Sequence, residues 1–491
     1  MVGSTPERMW IAAAIAVLLA LGAWFYFPVW HGDAAIYLPY VRALWERGRW
    51  MEFNPGERSS GATSPLWLLW LVPWWGLGGA TGFKLAGAVL VIGAVVGAYL
   101  QAVRLGASST EALLVAAVVA YCVVPAGFLG YETPLVALVG IAWVALFARL
   151  REGREQSGWA GVLAALSPVV RPELGIMVAA AVGAALLGRR WRLAGSMLVG
   201  MLLPIAYYVL MHVLTGNFSA SGYCRSFALR ETAEFTVAGL RFHRQLLLEL
   251  LRSGLVIVGS AAAVGVWHWR TEKSFWVFGL GVALGFGLFF TVVAPLNTMR
   301  YAAPVAFLFG YAAILGFRKA GCRVRWLQAG IPVLALLIFL NLAARAWDER
   351  RRGWTFDRVT ERECAELLNG LAQPGESVLA YEVQIRYWLR PELSLLSLDG
   401  VTDGRIAPYL ASGDIVGFLR RYRPQYWVAN EAVWRRPFLR RSLLAEVLQQ
   451  REPVVCREGI CFERLWQRAE PSPRGFYGCL AVYRLRYGEP P

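Results

Sequence analysis

Lysine is nearly missing from this 491-residue chain: Lys84, Lys273 and Lys319 are the only three among 49 basic residues. Charge of either sign is scarce at 17%, against about a quarter in ordinary soluble domains. The net charge of +16 is therefore arginine, scattered over short loops. It forms no basic stripe of the kind a nucleic-acid-binding fold presents, so nucleic acid is not an expected partner. The excess of arginine over lysine reads as compositional bias rather than phosphate recognition. Histidine occurs four times, and no Cys/His set has zinc spacing. Internal repeats and low-complexity tracts are also missing, which excludes solenoids and long disordered linkers. What fills the space is apolar: 57% hydrophobic residues, 22 Trp and a mean hydropathy of +0.46.

Apolar runs of membrane-spanning length recur along the chain. They cover about 9–28, 82–103, 110–128, 132–149, 158–170, 173–188, 193–213, 253–268, 275–294, 300–317 and 326–344. The first run is too long for a secretory signal and lacks a small-residue cleavage site, so a retained helix is expected. The pair around 158–188 is short and interrupted by Pro168 and Pro172. Short loops rich in Arg and Lys belong inside. Those at Arg104, Arg149–Arg154, Arg189–Arg192, Arg270/Lys273 and Arg318–Arg325 alternate with polar loops if the N-terminus is inside and residues 63–80 do not cross. Residues 63–80 then form an interfacial or re-entrant helix, with Trp67, Trp70, Trp74 and Trp75 as its aromatic belt. The expected architecture is an all-α polytopic domain over 1–345 with about eleven spans. A small α/β extracytoplasmic domain follows over 346–491, with strands at Ser377–Tyr381 and Tyr426–Ala429 and a helix at Ile415–Arg423. Cys122 lies within an apolar run and reads as inert packing. Cys456 and Cys461 flank a short turn, and a location outside the cytoplasm would permit a disulfide between them.

This topology gathers the ionisable residues nearest the membrane on the outer face. Asp33 follows the first run, and Pro55-Gly56-Glu57-Arg58 and Gly61 form a loop beyond it. Glu132 precedes Thr133-Pro134, Arg171 and Glu173 flank Pro172, and Arg300-Tyr301 opens the tenth run. Such a set suits transfer of a sugar from a polyprenyl phosphate to a hydroxyl. A carboxylate takes the acceptor proton, and guanidinium groups stabilise the leaving phosphate. Asp33 is the candidate base, although it also reads as a helix N-cap. Glu132 is either a second acid that binds the acceptor or a divalent ion, or a first-turn acid favoured by its helix dipole. Arg171 and Glu173 form either a local ion pair or a sugar and phosphate contact. Arg300 faces either the lipid phosphate or, with Tyr301, the interfacial belt. Glu57 and Arg58 shape the site, and His31 reads as a polar contact.

The segments Gly32-Asp33-Ala34-Ala35-Ile36, Asn54-Pro55-Gly56-Glu57-Arg58, Gly61-Ala62-Thr63-Ser64-Pro65-Leu66-Trp67, Gly130-Tyr131-Glu132-Thr133, Arg171-Pro172-Glu173-Leu174 and Arg300-Tyr301 occur in that order. Together they resemble the GT-C superfamily of polytopic glycosyltransferases. The nearer likeness is to the branch that contains mycobacterial arabinofuranosyltransferases. It spans residues 1–345 and extends more faintly into Glu382–Trp388 and Leu398–Asp403. The resemblance implies an inverting glycosyltransferase of the cytoplasmic membrane, multi-pass, with its C-terminal domain outside. It would take a polyprenyl-phosphate sugar as donor and pass the sugar to a glycan, lipid or protein hydroxyl at the outer face. The family's paired acid is reduced here to Gly32-Asp33, which argues against a divalent cation, and no cofactor is expected. Two other readings remain: a transporter or flippase of a lipid-linked saccharide, for which the broken 158–188 pair speaks, and a non-catalytic assembly protein.

Overall fold

Small residues set the spacing of the helices. In the computed structural model, a β-carbon on Gly316 would lie 1.8 Å from the carbonyl oxygen of Ala261. Only glycine lets the helices Leu255–His268 and Ala303–Gly321 touch backbone to backbone. Helices in lipid gain no hydrophobic drive from association, so this close fit is what holds them together. The structure describes residues 5–27, 34, 36–151, 156–218, 255–268, 273–288, 302–321, 325–351, 359–400, 402, 404–430, 433, 437–450, 452–468 and 479–488.

Two compact units emerge. The first gathers Met1–Val29, Ser64–Tyr207 and Ala233–Trp354. Its central helix, Ser109–Phe128, is apolar on every side and almost wholly buried. It packs against helices Thr5–Tyr26, Pro65–Arg104, Thr133–Arg151, Ala303–Gly321 and Arg325–Arg351. A capping box opens it: Ser108 N donates to Glu111 Oε2 at 2.7 Å, and Glu111 N donates to Ser108 Oγ at 3.4 Å. Arg318 then clamps the Glu111 carboxylate through Nε at 2.8 Å and Nη2 at 2.6 Å. Among the described residues, four helical stretches are long and apolar enough to cross a membrane: Pro65–Arg104, Ser109–Phe128, Thr133–Leu150 and Trp191–Thr215. Shorter apolar helices occupy the other expected runs.

The Pro65–Arg104 helix is in fact two arms. Trp70 Nε1 donates to the carbonyl of Ala86 at 3.2 Å, whereas residues sixteen apart in a straight helix stand about 24 Å apart. The chain turns back at Gly78–Gly79, where Gly79 has φ +53°, a conformation open to glycine. The expected break before residue 82 is therefore present. The aromatic belt needs one correction: Trp67 is fully enclosed, edge-on to Phe83 at 6.1 Å, because the returning arm covers it.

The second unit gathers Trp30–Thr63, Tyr208–Thr232 and Thr355–Pro491. It holds a hairpin of β1 (Glu52–Asn54) and β2 (Glu57–Arg58). Its sheet has six strands, β3 (Ser377–Ala380), β4 (Ser394–Ser397), β5 (Tyr426–Asn430), β6 (Val454–Arg457), β7 (Ile460–Gln467) and β8 (Cys479–Tyr487). They run in the order β4-β3-β5-β8-β7-β6. The β4-β3-β5 part is parallel and the rest antiparallel. Helix Ile415–Tyr422 is capped by Asp414, which accepts from Gly417 N at 2.7 Å, and it delivers the chain to β5. Leu379, Leu396, Phe418, Trp427, Phe462 and Tyr483 lie at the centre of its core. The disulfide Cys456–Cys461 closes the β6–β7 hairpin, and Cys364–Cys479 ties helix Val359–Leu371 to β8. The expected α/β domain is thus present, and it incorporates the loop that follows the first helix.

That incorporation has a specific chemistry. The Asn54 side chain behaves like a piece of strand backbone: Nδ2 donates to Leu395 O at 2.9 Å, and Oδ1 accepts from Leu395 N at 2.8 Å. Arg386 Nε donates to Phe53 O at 3.3 Å, and Ser59 Oγ donates to Thr402 O. Tyr40 packs its ring on Phe53 at 5.3 Å and hydrogen-bonds Ser59 Oγ at 2.9 Å. The buried polar groups of Asn54 and Arg386 are thereby paired rather than stranded.

Candidate functional site

In the helical unit, Gly130 (φ +96°) turns the chain out of helix Ser109–Phe128 and into Glu132. The Glu132 carbonyl accepts from Leu135 N at 2.9 Å and Val136 N at 3.1 Å, so the residue starts helix Thr133–Arg151. Its side chain is only 4% exposed and is ion-paired with Arg171 Nη1. Arg171 stands between helix Ser157–Val170 and the 3₁₀ turn Pro172–Leu174, and its Nε meets Glu173 Oε1 at 2.5 Å. The local ion pair expected of Arg171 and Glu173 is therefore present, and Glu132 joins it. The result is one guanidinium held between two carboxylates, in surroundings where an unbalanced charge would be costly.

Lys84 belongs to the same unit and was not singled out as a site residue. It is 2% exposed, and its Nζ donates to the carbonyl of Phe128 at 2.8 Å, in the last turn before Gly130. A buried ammonium in a membrane-length helix is a functional candidate by its cost alone. The signal was present in the sequence: one of three lysines stands at the start of an apolar run.

In the sheet unit, Glu57 and Arg58 occupy β2. Glu57 forms a two-pronged pair with Arg405, Nη1 to Oε1 at 3.1 Å and Nη2 to Oε2 at 3.0 Å, and also accepts from Asn54 Nδ2 at 3.1 Å. Beside them opens a cavity of about 290 Å³ lined by polar groups from three stretches of chain. Arg386, in the same unit, is buried and among the described residues has no carboxylate in hydrogen-bond contact. Burial pushes its guanidinium down to about 10, with Arg42 and Arg47 adding to the shift. Carbonyls of Phe53, Leu389, Arg390 and Pro391 accept its protons, so it remains charged at neutral pH.

Asp33, Arg300 and Tyr301 lie outside the described residues, as does His31. Glu132, Arg171 and Glu173 are brought together, and Glu57 and Arg58 form part of the sheet unit's cavity. Among the described residues, no three His, Cys, Asp or Glu side chains form a metal-binding group.

Apolar helices followed by a mixed sheet define a class of fold. That fold is found in ArnT from Cupriavidus metallidurans. The structure of ArnT bound to undecaprenyl phosphate is similar to this chain with a TM-score of 0.59 at 13% identity, over 96% of this chain and 97% of ArnT. The apo structure gives 0.60 at 13%, over 98% of each. No protein-family model and no curated protein matches the chain.

Proposed function

We propose that this protein is an inverting glycosyltransferase of the GT-C type, moving a sugar from a polyprenyl-phosphate donor to an acceptor hydroxyl at the outer face of the cytoplasmic membrane. One observation carries the reading: the end-to-end likeness to ArnT, a GT-C glycosyltransferase whose structure has been determined with undecaprenyl phosphate bound. The enclosed cluster of Glu132, Arg171 and Glu173, with Lys84 at the adjoining helix end, adds local support. The two disulfides favour an oxidising compartment for the sheet unit, and hence the outer face.

In this reading the acceptor oxygen attacks the anomeric carbon from the side opposite the phosphate. The new carbon–oxygen bond forms as the bond to the phosphate breaks, so the configuration inverts. Asp33 takes the acceptor proton. The lipid phosphate leaves with the bonding pair, and Lys84 and Arg300 meet its growing charge. Glu132 and Glu173 hold Arg171 in place toward the sugar or phosphate. The arabinofuranosyltransferase-like branch remains the proposed relative on the strength of the six ordered motifs.

The test supplies purified protein in lipid nanodiscs with a panel of polyprenyl-phosphate sugars and follows release of the lipid phosphate. Wild type should release it, and Asp33→Asn should lose nearly all turnover. Equal turnover by both would remove Asp33 from the role of base. The broken pair Ser157–Val170 and Gly175–Leu187 keeps a transporter as second reading. Movement of intact lipid-linked sugar across proteoliposomes, without cleavage, would decide for it.

A further inference from the structure

The cavity of the sheet unit is built of opposites. Glu57 offers carboxylate acceptors, Arg405 guanidinium donors, and Asn217 and Ser60 are joined to one another through Ser60 Oγ and Asn217 Oδ1. Thr402 lines it too. Its hydroxyl is enclosed, with the residue 1% exposed, and it makes no hydrogen bond among the described residues. A buried hydroxyl without a partner is a rarity that asks for an occupant. Phe53 supplies an aromatic wall, held by Tyr40 behind it.

We infer that this cavity is a saccharide-binding subsite, taking one sugar ring of the acceptor by its hydroxyl edge and resting the ring's C–H face near Phe53. The inference deepens the transferase reading, on which its acceptor role rests, by choosing a glycan over a lipid or protein acceptor.

Three features favour a sugar. A polyol presents donors and acceptors on every carbon, and the lining presents both in return, whereas an acyl chain would leave these polar groups unpaired. Charge is largely cancelled: Glu57 neutralises Arg405, leaving only Arg58, which points to solvent, so a free phosphate finds no concentrated positive site. At about 290 Å³ the cavity stands at the lower end of small-molecule sites of roughly 300–1,000 Å³, room for one ring rather than a peptide. The groups are also preorganised. Asn54 and Ser59 anchor the first loop to Leu395 and Thr402, so little order is lost on binding.

The test uses full-length protein in nanodiscs and a panel of methyl glycosides, pyranosides and arabinofuranosides, read by saturation-transfer NMR and calorimetry. Inorganic phosphate serves as the anion probe and a short-chain phosphatidylglycerol as the lipid probe. At least one glycoside should bind. Thr402→Val and Arg405→Gln should each weaken it about tenfold, the scale of one or two lost hydrogen bonds. Thr402→Ser should restore affinity, which a merely misfolded variant could not do. Arg420→Gln, an exposed pair with Glu458 away from the cavity lining, should leave binding unchanged. No glycoside binding, equal binding by all variants, or binding of phosphate or lipid in place of sugar would overturn the assignment. Donor cleavage is measured alongside. Cleavage without glycoside binding sinks the subsite and leaves the transferase, whereas glycoside binding without cleavage sinks the transferase and leaves the subsite.

Discussion

Arg171 shows how a single side chain is fixed by what it must neutralise. It is 15% exposed and bound on two sides by carboxylates that are themselves nearly enclosed. Removing one partner leaves the remainder imperfectly balanced at low dielectric. Glu132→Gln should therefore destabilise the helical unit by about 3 kcal/mol, seen as a lower thermal midpoint in nanodiscs, and should reduce donor turnover beyond what the lost folded fraction explains. An unchanged midpoint would mean the pair contributes nothing to the fold. Lys84→Met should behave differently. It removes the amine while keeping the volume, so the expected result is a lowered kcat for donor cleavage with the fold retained, measured by the same turnover assay. Glu132, Arg171 and Glu173 could be picked out in the sequence, because each is an ionisable residue at the edge of an apolar run, Arg171 and Glu173 on either side of Pro172 and Glu132 two residues before Pro134. Their mutual pairing was not, since nothing in one-dimensional order brings position 132 to position 171.

At the level of elements, periodicity and length revealed most helices, and the alternating texture after residue 345 revealed the α/β sheet. The membership of the first loop was hidden. Its anchor, Asn54, reaches a strand edge 341 residues later, and such contacts leave no local pattern. Asn54→Ala should strip both hydrogen bonds from Leu395 and cost about 2–3 kcal/mol in the sheet unit, measurable as faster amide exchange along β4 and through Glu57–Ser60. Protection unchanged from wild type would refute the anchoring role. The glycine contact between helices Leu255–His268 and Ala303–Gly321 is equally invisible to hydropathy, because glycine registers there as a neutral residue and not as a point of contact.

For the whole molecule, two covalent links differ in reach. Cys364–Cys479 closes 115 residues and Cys456–Cys461 only five. On a chain-entropy account the longer link is worth about 5 kcal/mol and the shorter about 2. Paired replacement of Cys364 and Cys479 by Ala should lower the denaturation midpoint of the sheet unit more than the same change at Cys456 and Cys461. Chemical denaturation in nanodiscs checks the order. A reversed order would show that strain or residual structure, rather than loop length, controls the effect.

The stitch between Asn54 and Leu395 also sets a timetable. A ribosome adding about 5–20 residues per second needs on the order of 17–70 s to travel from one to the other. Throughout that interval the hairpin Glu52–Arg58 has been synthesised but lacks its docking strand. Newborn chains should be most vulnerable to proteases at this hairpin. Any message truncated before β4 would yield a helical bundle whose first long loop never acquires its shape.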